Sequence, residues 1–521
     1  MCLLLMQCSA EKRNKPTNVI LITLDTLRAD YISAYNPDLA STPHIDSFAQ
    51  KGILVKSCYT MIPITAPAHA ALFYSLPPHL LGLYNNGQVF QSKKNTVALA
   101  ELFQKKGYKT SAFVSLGVLQ SQFQLHHGFD FYDDRMPSHR WYLHAHEINE
   151  NVIPWIEKNK DDDFFTWIHY SDPHDPYAAP SLPPDLSIDL NGQPAYRVCL
   201  QKYEQLSLKF KLKKGSNEIL FTVLNPFPDP EEDQYRASLN EIEFIHPVSA
   251  SLSFADIHFI QRGEKRSALI KKSGTIHIEC HEEDADFSIE ARGNLNMTAS
   301  EKASAYRQEV EYLDQQIGNL RSKLQQWDLL DESLVVLVGD HGEGLGENRT
   351  GLGDRYFGHI HYLYGVYMKV PLIIFGPTLH ETSINDRGIT TILDVAPTLL
   401  GLMGWKKPSF YQGRDLLEAE KSTGIILEET YAPEAVHDRF GLLKYPMHMI
   451  YTPDTKKYEL YDLEKDPGEK KDIFSVLSDS EEIKKLQKRI KEKTTEILER
   501  KKEVIIDRET LEMLKSLGYI K

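Results

Sequence analysis

Cysteine is scarce in this chain of 521 residues. The few present, Cys2, Cys8, Cys58, Cys199 and Cys280, are scattered and form no CxxC pair, so neither a zinc knuckle nor a disulfide framework is indicated. Positive charge is outnumbered: 59 Lys and Arg stand against 73 Asp and Glu, a net charge of -14. The only strongly basic stretch, Lys484 to Lys502, is interleaved with glutamates as in a solvated helix, and no nucleic-acid partner is expected. Long apolar runs are missing as well, and none is long enough to span a bilayer.

The chain opens "MCLLLMQCSAEKRNK", a short apolar run ending in Cys8 before small and charged residues. This is similar to the tail of a bacterial lipoprotein signal. Residues 1–16 are therefore read as lipoprotein-signal-like, with Cys8 lipidated and the protein attached peripherally at the cell envelope, in the periplasm or on the surface. Without that anchor the expectation is a cytoplasmic protein.

What is present, 41% apolar and 25% charged residues, reads as globular and of more than one domain. "NVILITLD" is a β-branched run stopping at Asp25, the pattern of a buried parallel strand whose C-terminal end carries a polar group into a site. "TVALAELFQKKGYKTSAFVS" gives a helical pattern, a stop at Gly107 and another strand, so residues 17–180 are expected to form the first part of an α/β domain. Residues 185–298 alternate apolar and polar with turn punctuation, as at Gly215-Ser216-Asn217 after "LSLKFKL". They predict an inserted β-sandwich built of hairpins, serving as a lid, an oligomer contact or a binding module. The α/β pattern resumes over 299–420 with a long helix whose apolar face is Tyr306, Val310, Leu313, Ile317, Leu320 and Leu324, and 421–521 read as a smaller C-terminal α+β subdomain.

Two strands end in acids, Asp25 and Asp340, the second beside His341. Sites in open α/β sheets gather beyond the carboxyl ends of strands, and two carboxylates, an imidazole and a hydroxyl suit a divalent metal. Zinc or manganese fit best, magnesium or calcium remain open, and one ion or two can be accommodated. Thr65, in "TAPAHAAL", either caps a helix or, bound to such a metal, serves as a nucleophile. As the N-cap it would aim the helix backbone N–H groups at an oxyanion.

These segments resemble the sulfatase family of the alkaline-phosphatase superfamily: "NVILITLDTLRAD", "STPHIDSFAQKG", "TAPAHAAL", "LAELFQKKGYKT", "HYSDPHDPY", "VVLVGDHGEGLGE", "FGHIHYLYGVYMKVPLII", "LDVAPTLLGLMG", "ELYDLEKDPGE" and the closing "LEMLKSLGYI". The resemblance implies a central mixed sheet flanked by helices, and Asp25, Thr65, Asp340 and His341 as the metal shell, with Thr65 also the nucleophile. It implies a substrate contact from Asn86, contact of His359 with the ester or with a second metal, and His69, also among the substrate contacts, in the position of the family's arginine. His174 is implied as the proton donor to the leaving group; His169 and His361 are weaker candidates.

The chain departs from the usual sulfatase pattern. Thr65-Ala66-Pro67-Ala68-His69 stands where sulfatases have C/S-x-P-S-R, and threonine cannot mature to formylglycine. "AFVSLG" replaces a Gly-Lys-Trp-His segment, and Asp25-Thr26 replaces a pair of acids. The expectation is a Thr-nucleophile, sulfatase-like hydrolase or transferase of phosphate or sulfate esters, phosphate favoured, on a substrate that can be a glycan or lipid. The alternative is a non-catalytic cell-envelope binding protein.

Overall fold

The structure, a computed structural model, describes residues 16–501 except 138–140, 176, 178–183, 185, 199, 201–204, 225–236, 247–249, 263–264, 296, 350–354, 378, 380–387, 419–425 and 432–436. Cys8 with its signal-like segment, and the closing "LEMLKSLGYI", lie outside the described residues. The described residues fall into two compact units, one drawn from Met1–Met136, Trp141–Pro173 and Val310–Lys521, the other from Pro137–Arg140 and His174–Glu309.

The first unit is built on a seven-stranded sheet in the order Ile53–Leu54, Leu372–Phe375, Ser333–Gly339, Asn18–Leu24, Phe164–Tyr170, Lys109–Phe113, Phe131–Asp133. Asn18–Leu24, Ser333–Gly339 and Phe164–Tyr170 are parallel neighbours and buried along their whole length, which explains why their sequences are mostly apolar. Leu372–Phe375 runs antiparallel to Ser333–Gly339, so the sheet is mixed. Helix Leu99–Lys105 feeds strand Lys109–Phe113 through Gly107, whose φ of 86° lies in the left-handed region open to glycine. Helix Ala299–Gln326 enters this unit at Val310; Val310, Leu313, Ile317, Leu320 and Leu324 are buried, as is Tyr306 in the part of the helix assigned to the second unit.

Beyond these elements lies a four-stranded antiparallel sheet of Ile426–Thr430, Arg439–Lys444, Met447–Thr452 and Lys457–Asp462 in sequence order. Helix Glu481–Lys501 follows, burying Ile483, Leu486, Ile490 and Ile497 while its lysines and glutamates face outward. No helix among the described residues is long and apolar enough to cross a membrane.

The second unit is a pair of five-stranded sheets whose described pairings are all antiparallel. Alternate residues such as Ile188, Phe221, Ile276, Phe210, Phe287 and Ile289 build its core. Here the structure corrects one expectation: strands Gln205–Leu212 and Gly215–Val223 are not a hairpin. Gln205–Leu212 pairs with Ala285–Leu295, and Gly215–Val223 pairs with Ser273–Cys280 and Leu186–Leu190, so the turn at Gly215 carries the chain from one sheet to the other. Buried Asn217 holds that turn, its side chain bonding to the Lys213 amide and carbonyl.

Candidate active site

Register brings the acids together. Strand Asn18–Leu24 pairs with Ser333–Gly339 so that Leu24 lies opposite Gly339, and the next residues, Asp25 and Asp340, leave the sheet side by side at its carboxyl end. On the other flank Thr23 lies opposite His169. Thr26 then turns with φ of 55°, giving its N–H to Asp340 Oδ1 at 3.2 Å, and the His341 N–H donates to the same oxygen at 2.7 Å. Gly342 is required at this bend, since a Cβ there would lie 2.0 Å from the Val366 carbonyl oxygen.

Thr65 begins helix Thr65–Tyr74, every residue of which is buried. It is not the N-cap: Ile64 holds that position and its carbonyl accepts the Ala68 N–H at 3.0 Å. The Thr65 hydroxyl instead lies 3.3 Å from His341 Nε2. His341 Nδ1 sits 3.1 Å from the Gly342 carbonyl, which holds a proton on Nδ1 and turns Nε2 toward Thr65. The expected fan of helix N–H donors is also reduced. Ala66 N–H is taken by Asn86 Oδ1 at 2.9 Å, Pro67 has none, and Ala68 bonds within the helix. The remaining Asn86 donor, Nδ2, is buried with no partner among the described residues.

His69 and His169 support this arrangement from beneath. His69 Nδ1 donates to the Thr65 carbonyl at 2.8 Å, and its Nε2 accepts from the Thr23 hydroxyl at 3.0 Å, which in turn accepts from Trp167 Nε1 at 2.8 Å. Burial first, and the neighbouring His169 second, push the His69 ring down to about 3, so it is neutral. Placed by resemblance among the substrate contacts, His69 has both ring nitrogens engaged within the protein. His169, the weaker candidate, accepts the Ser115 N–H on Nδ1 and donates from Nε2 to Asp25 Oδ2 at 3.2 Å. Neither Ser115 nor Thr23 carries a sequence signal for these roles.

His359 lies beside the cluster, its ring centroid 4.4 Å from that of His341 and its Nδ1 2.9 Å from the buried Glu343 Oε2. Glu343 was not anticipated; it falls within the "GDHGEG" turn already singled out. His361 stacks on Tyr356 at 4.8 Å. His174 belongs to the second unit, where its Nδ1 meets the Asp175 carbonyl at 2.6 Å.

The residues present fit a divalent cation. One ligand atom from each of Asp25, Asp340 and His341 lies within 4.8 Å of the others, and all three side chains are buried. Among the described residues Asp340 Oδ2 has no hydrogen-bond partner; it sits 3.4 Å from His341 Nε2 and 3.7 Å from His69 Nδ1. Burial, and after it the charge of Asp25, pushes the Asp340 carboxyl well above the usual carboxylate range. A cation relieves both conditions, and carboxylate, imidazole and hydroxyl donors accommodate zinc, manganese, magnesium or calcium.

Known proteins share this frame. The sulfatase family model matches residues 17–405, and the model described as N-sulphoglucosamine sulphohydrolase, C-terminal, matches residues 353–499. An N-acetylglucosamine-6-O-sulfatase of Bacteroides thetaiotaomicron is 23% identical over 524 residues, which cover 92% of this chain and 87% of that protein. Among solved structures, a 2-O GAG sulfatase aligns with a TM-score of 0.60 at 16% identity over 95% of each chain. The phosphonate monoester hydrolase of Agrobacterium radiobacter aligns with a TM-score of 0.57 at 14% identity over 94% of this chain and 96% of its own. At these identities the structures share the fold. A family match running from the first strand, through the Thr65 helix and both strand-end aspartates, to Trp405 establishes that this chain belongs to the sulfatase family, hydrolases acting on ester bonds.

Proposed function

We propose that the protein hydrolyses a sulfate ester, with the Thr65 hydroxyl as nucleophile. The observation that carries this reading is the meeting of that hydroxyl with His341 and two strand-end aspartates in one buried cluster. The sequence expectation put phosphate ahead of sulfate. The relatives reverse that order, since the curated protein and one of the two structures described above are named as sulfatases. Those two names, an N-acetylglucosamine-6-O-sulfatase and a GAG sulfatase, make sulfated saccharides the first class to try.

Asp25, Asp340, His341 and Thr65 would hold a divalent cation, which when bound lowers the pKa of a coordinated hydroxyl and offsets the charge of an anionic ester. In the chemical step Thr65 Oγ1 gives up its proton and bonds to sulfur, the bond from sulfur to the leaving oxygen breaks, and the alcohol departs after taking a proton. Water then attacks the sulfur of the sulfothreonine, releasing hydrogen sulfate and restoring the hydroxyl. Asn86 Nδ2 supplies a donor for a non-bridging oxygen, and the His359 ring beside His341 supplies a second contact to the ester. His169 holds the Asp25 carboxylate in place from behind.

A second reading, hydrolysis of phosphate or phosphonate esters, is favoured by Thr65 itself. A formylglycine hydrate can expel sulfate by collapse to an aldehyde, whereas threonine has no second hydroxyl and must be freed by attack of water. The phosphonate monoester hydrolase among the structural neighbours supports that alternative. Rates on 4-nitrophenyl sulfate, sulfated glucosamines, 4-nitrophenyl phosphate, bis(4-nitrophenyl) phosphate and a phenylphosphonate ester, each with magnesium, calcium, manganese or zinc, decide between the two. Turnover of one ester class that vanishes in Thr65→Ala and survives in part in Thr65→Ser is the expected result. Full turnover by Thr65→Ala, or none by the wild type with any metal, overturns the proposal.

A further inference from the structure

His359 reaches the cluster on an unusual turn. Ile360 has φ of 80°, in the left-handed region that residues with a branched β-carbon avoid and that persists only where the surroundings impose it. The carbonyls of His359, Ile360 and His361 each accept a side-chain donor: the Tyr356 hydroxyl, the Thr430 hydroxyl and the Arg439 guanidinium. Thr430 and Arg439 are not independent. They lie opposite each other as the last rung of the pairing between strands Ile426–Thr430 and Arg439–Lys444. Arg439 is further held over the Tyr362 ring, 4.7 Å from its centroid. One rung of the C-terminal sheet thus grips two successive carbonyls of the turn that follows His359.

We propose that Thr430 and Arg439 are positioning residues for the active site: their grip keeps Ile360 in its left-handed turn and so keeps the His359 ring beside His341. The proposal rests on the reading that the Thr65 cluster hydrolyses an ester and that His359 faces it. The Glu343 contact at 2.9 Å sets the rotation of the ring, but it cannot hold a backbone that relaxes away. Without the grip, Ile360 returns to an ordinary extended or helical conformation and the ring leaves His341.

Glycine takes a φ of 80° without steric cost, so Ile360→Gly removes the need for the grip. The test is a double-mutant cycle of Ile360→Gly and Arg439→Ala, read as kcat and KM on the best ester of the panel above. With Ile360 in place, Arg439→Ala should lower kcat about tenfold with KM changed less than about threefold; combined with Ile360→Gly, the same change should cost less than about threefold. Thr430→Val, which removes one donor and keeps the shape, should repeat the pattern at smaller size. Hydrogen exchange of the peptide spanning residues 357–364 gives a readout independent of turnover, and Arg439→Ala should speed it about tenfold or more when Ile360 is in place. Equal losses of kcat with and without Ile360→Gly, or unchanged exchange, overturn the proposal. Thr65→Ala assayed in parallel separates the two ideas. If it is inactive while the cycle is additive, only the positioning role fails; if it is fully active, the reading of the site fails.

Discussion

Two clusters of buried acids in this protein resolve the same electrostatic problem in opposite ways. In the C-terminal sheet, His448 lies between Glu428 and Glu469, with Nδ1 2.5 Å from Glu469 Oε1 and Nε2 2.9 Å from Glu428 Oε2. Burial alone would lower the His448 pKa, but the two carboxylates outweigh it and push it up to about 10, so the ring is cationic and the cluster compensates itself. At the carboxyl ends of the central strands, Asp25 and Asp340 are buried just as deeply. Their histidines are arranged differently: His69 is neutral between Thr65 and Thr23, His341 turns Nδ1 to Gly342, and His169 gives Nε2 to Asp25 Oδ2. The Arg28 guanidinium, two residues beyond Thr26, pairs with Asp30 and Glu347. The first cluster contains its own cation and stabilises the fold; the second has the donor set of a divalent-cation site, the role proposed for it.

That contrast breaks most visibly at Thr65. Thr65→Ala should lower kcat/KM by about a thousandfold or more, as removal of other covalent nucleophiles does, while the urea midpoint stays near that of the wild type. Turnover close to normal would make the strand-end cluster as structural as the other one.

The next largest effect belongs to His448. Its loss leaves two buried carboxylates facing each other, and His448→Ala should destabilise the protein by about 3–5 kcal/mol in urea unfolding. The pH dependence follows from a folded pKa raised above the ordinary 6.5: the contribution of the charged ring is fully present below that value and is lost as pH rises through about 10. Wild-type stability should therefore fall from pH 7 to 10 more steeply than that of His448→Ala. Parallel curves would show that His448 is not the compensating charge.

The smallest effect has the opposite sign. The Asp340 carboxyl is raised by burial and by Asp25, so its ionisation at neutral pH opposes folding when no cation is bound. In chelator-treated protein Asp340→Asn should be more stable than the wild type by about 0.5–2 kcal/mol, a gain made at the expense of function. Destabilisation by that substitution under the same conditions would mean that Asp340 is already compensated.

Much of this was legible in the sequence, and what was not is long-range. The strand "NVILITL" and its terminal Asp25 were visible because a strand buried on both faces is largely apolar. That Asp25 and Asp340 stand side by side followed from the family resemblance, and the register Leu24 to Gly339 gives its physical cause. His169 was undervalued because its contact with Asp25 depends on pairing between strands far apart in the chain. Local chemistry leaves Thr65 as either an N-cap or a reactive hydroxyl; Ile64 occupies the cap position and the Thr65 hydroxyl lies beside His341. The turn at Gly215 has the local features of a hairpin, and only the partners of its flanking strands reveal that it joins two sheets. The cluster of Glu428, His448 and Glu469 carried no signal at all, since its members meet only through the C-terminal sheet and the loop after it.

The claim that one acid cluster awaits a cation and the other does not is tested most directly by calorimetric titration of chelator-treated protein with magnesium, calcium, manganese and zinc. The wild type and Glu428→Gln should bind at least one of these ions, and Asp340→Asn should bind it about 10–100-fold more weakly or not at all. Failure of the wild type to bind any of them, or equal affinity in Asp340→Asn, would contradict the account.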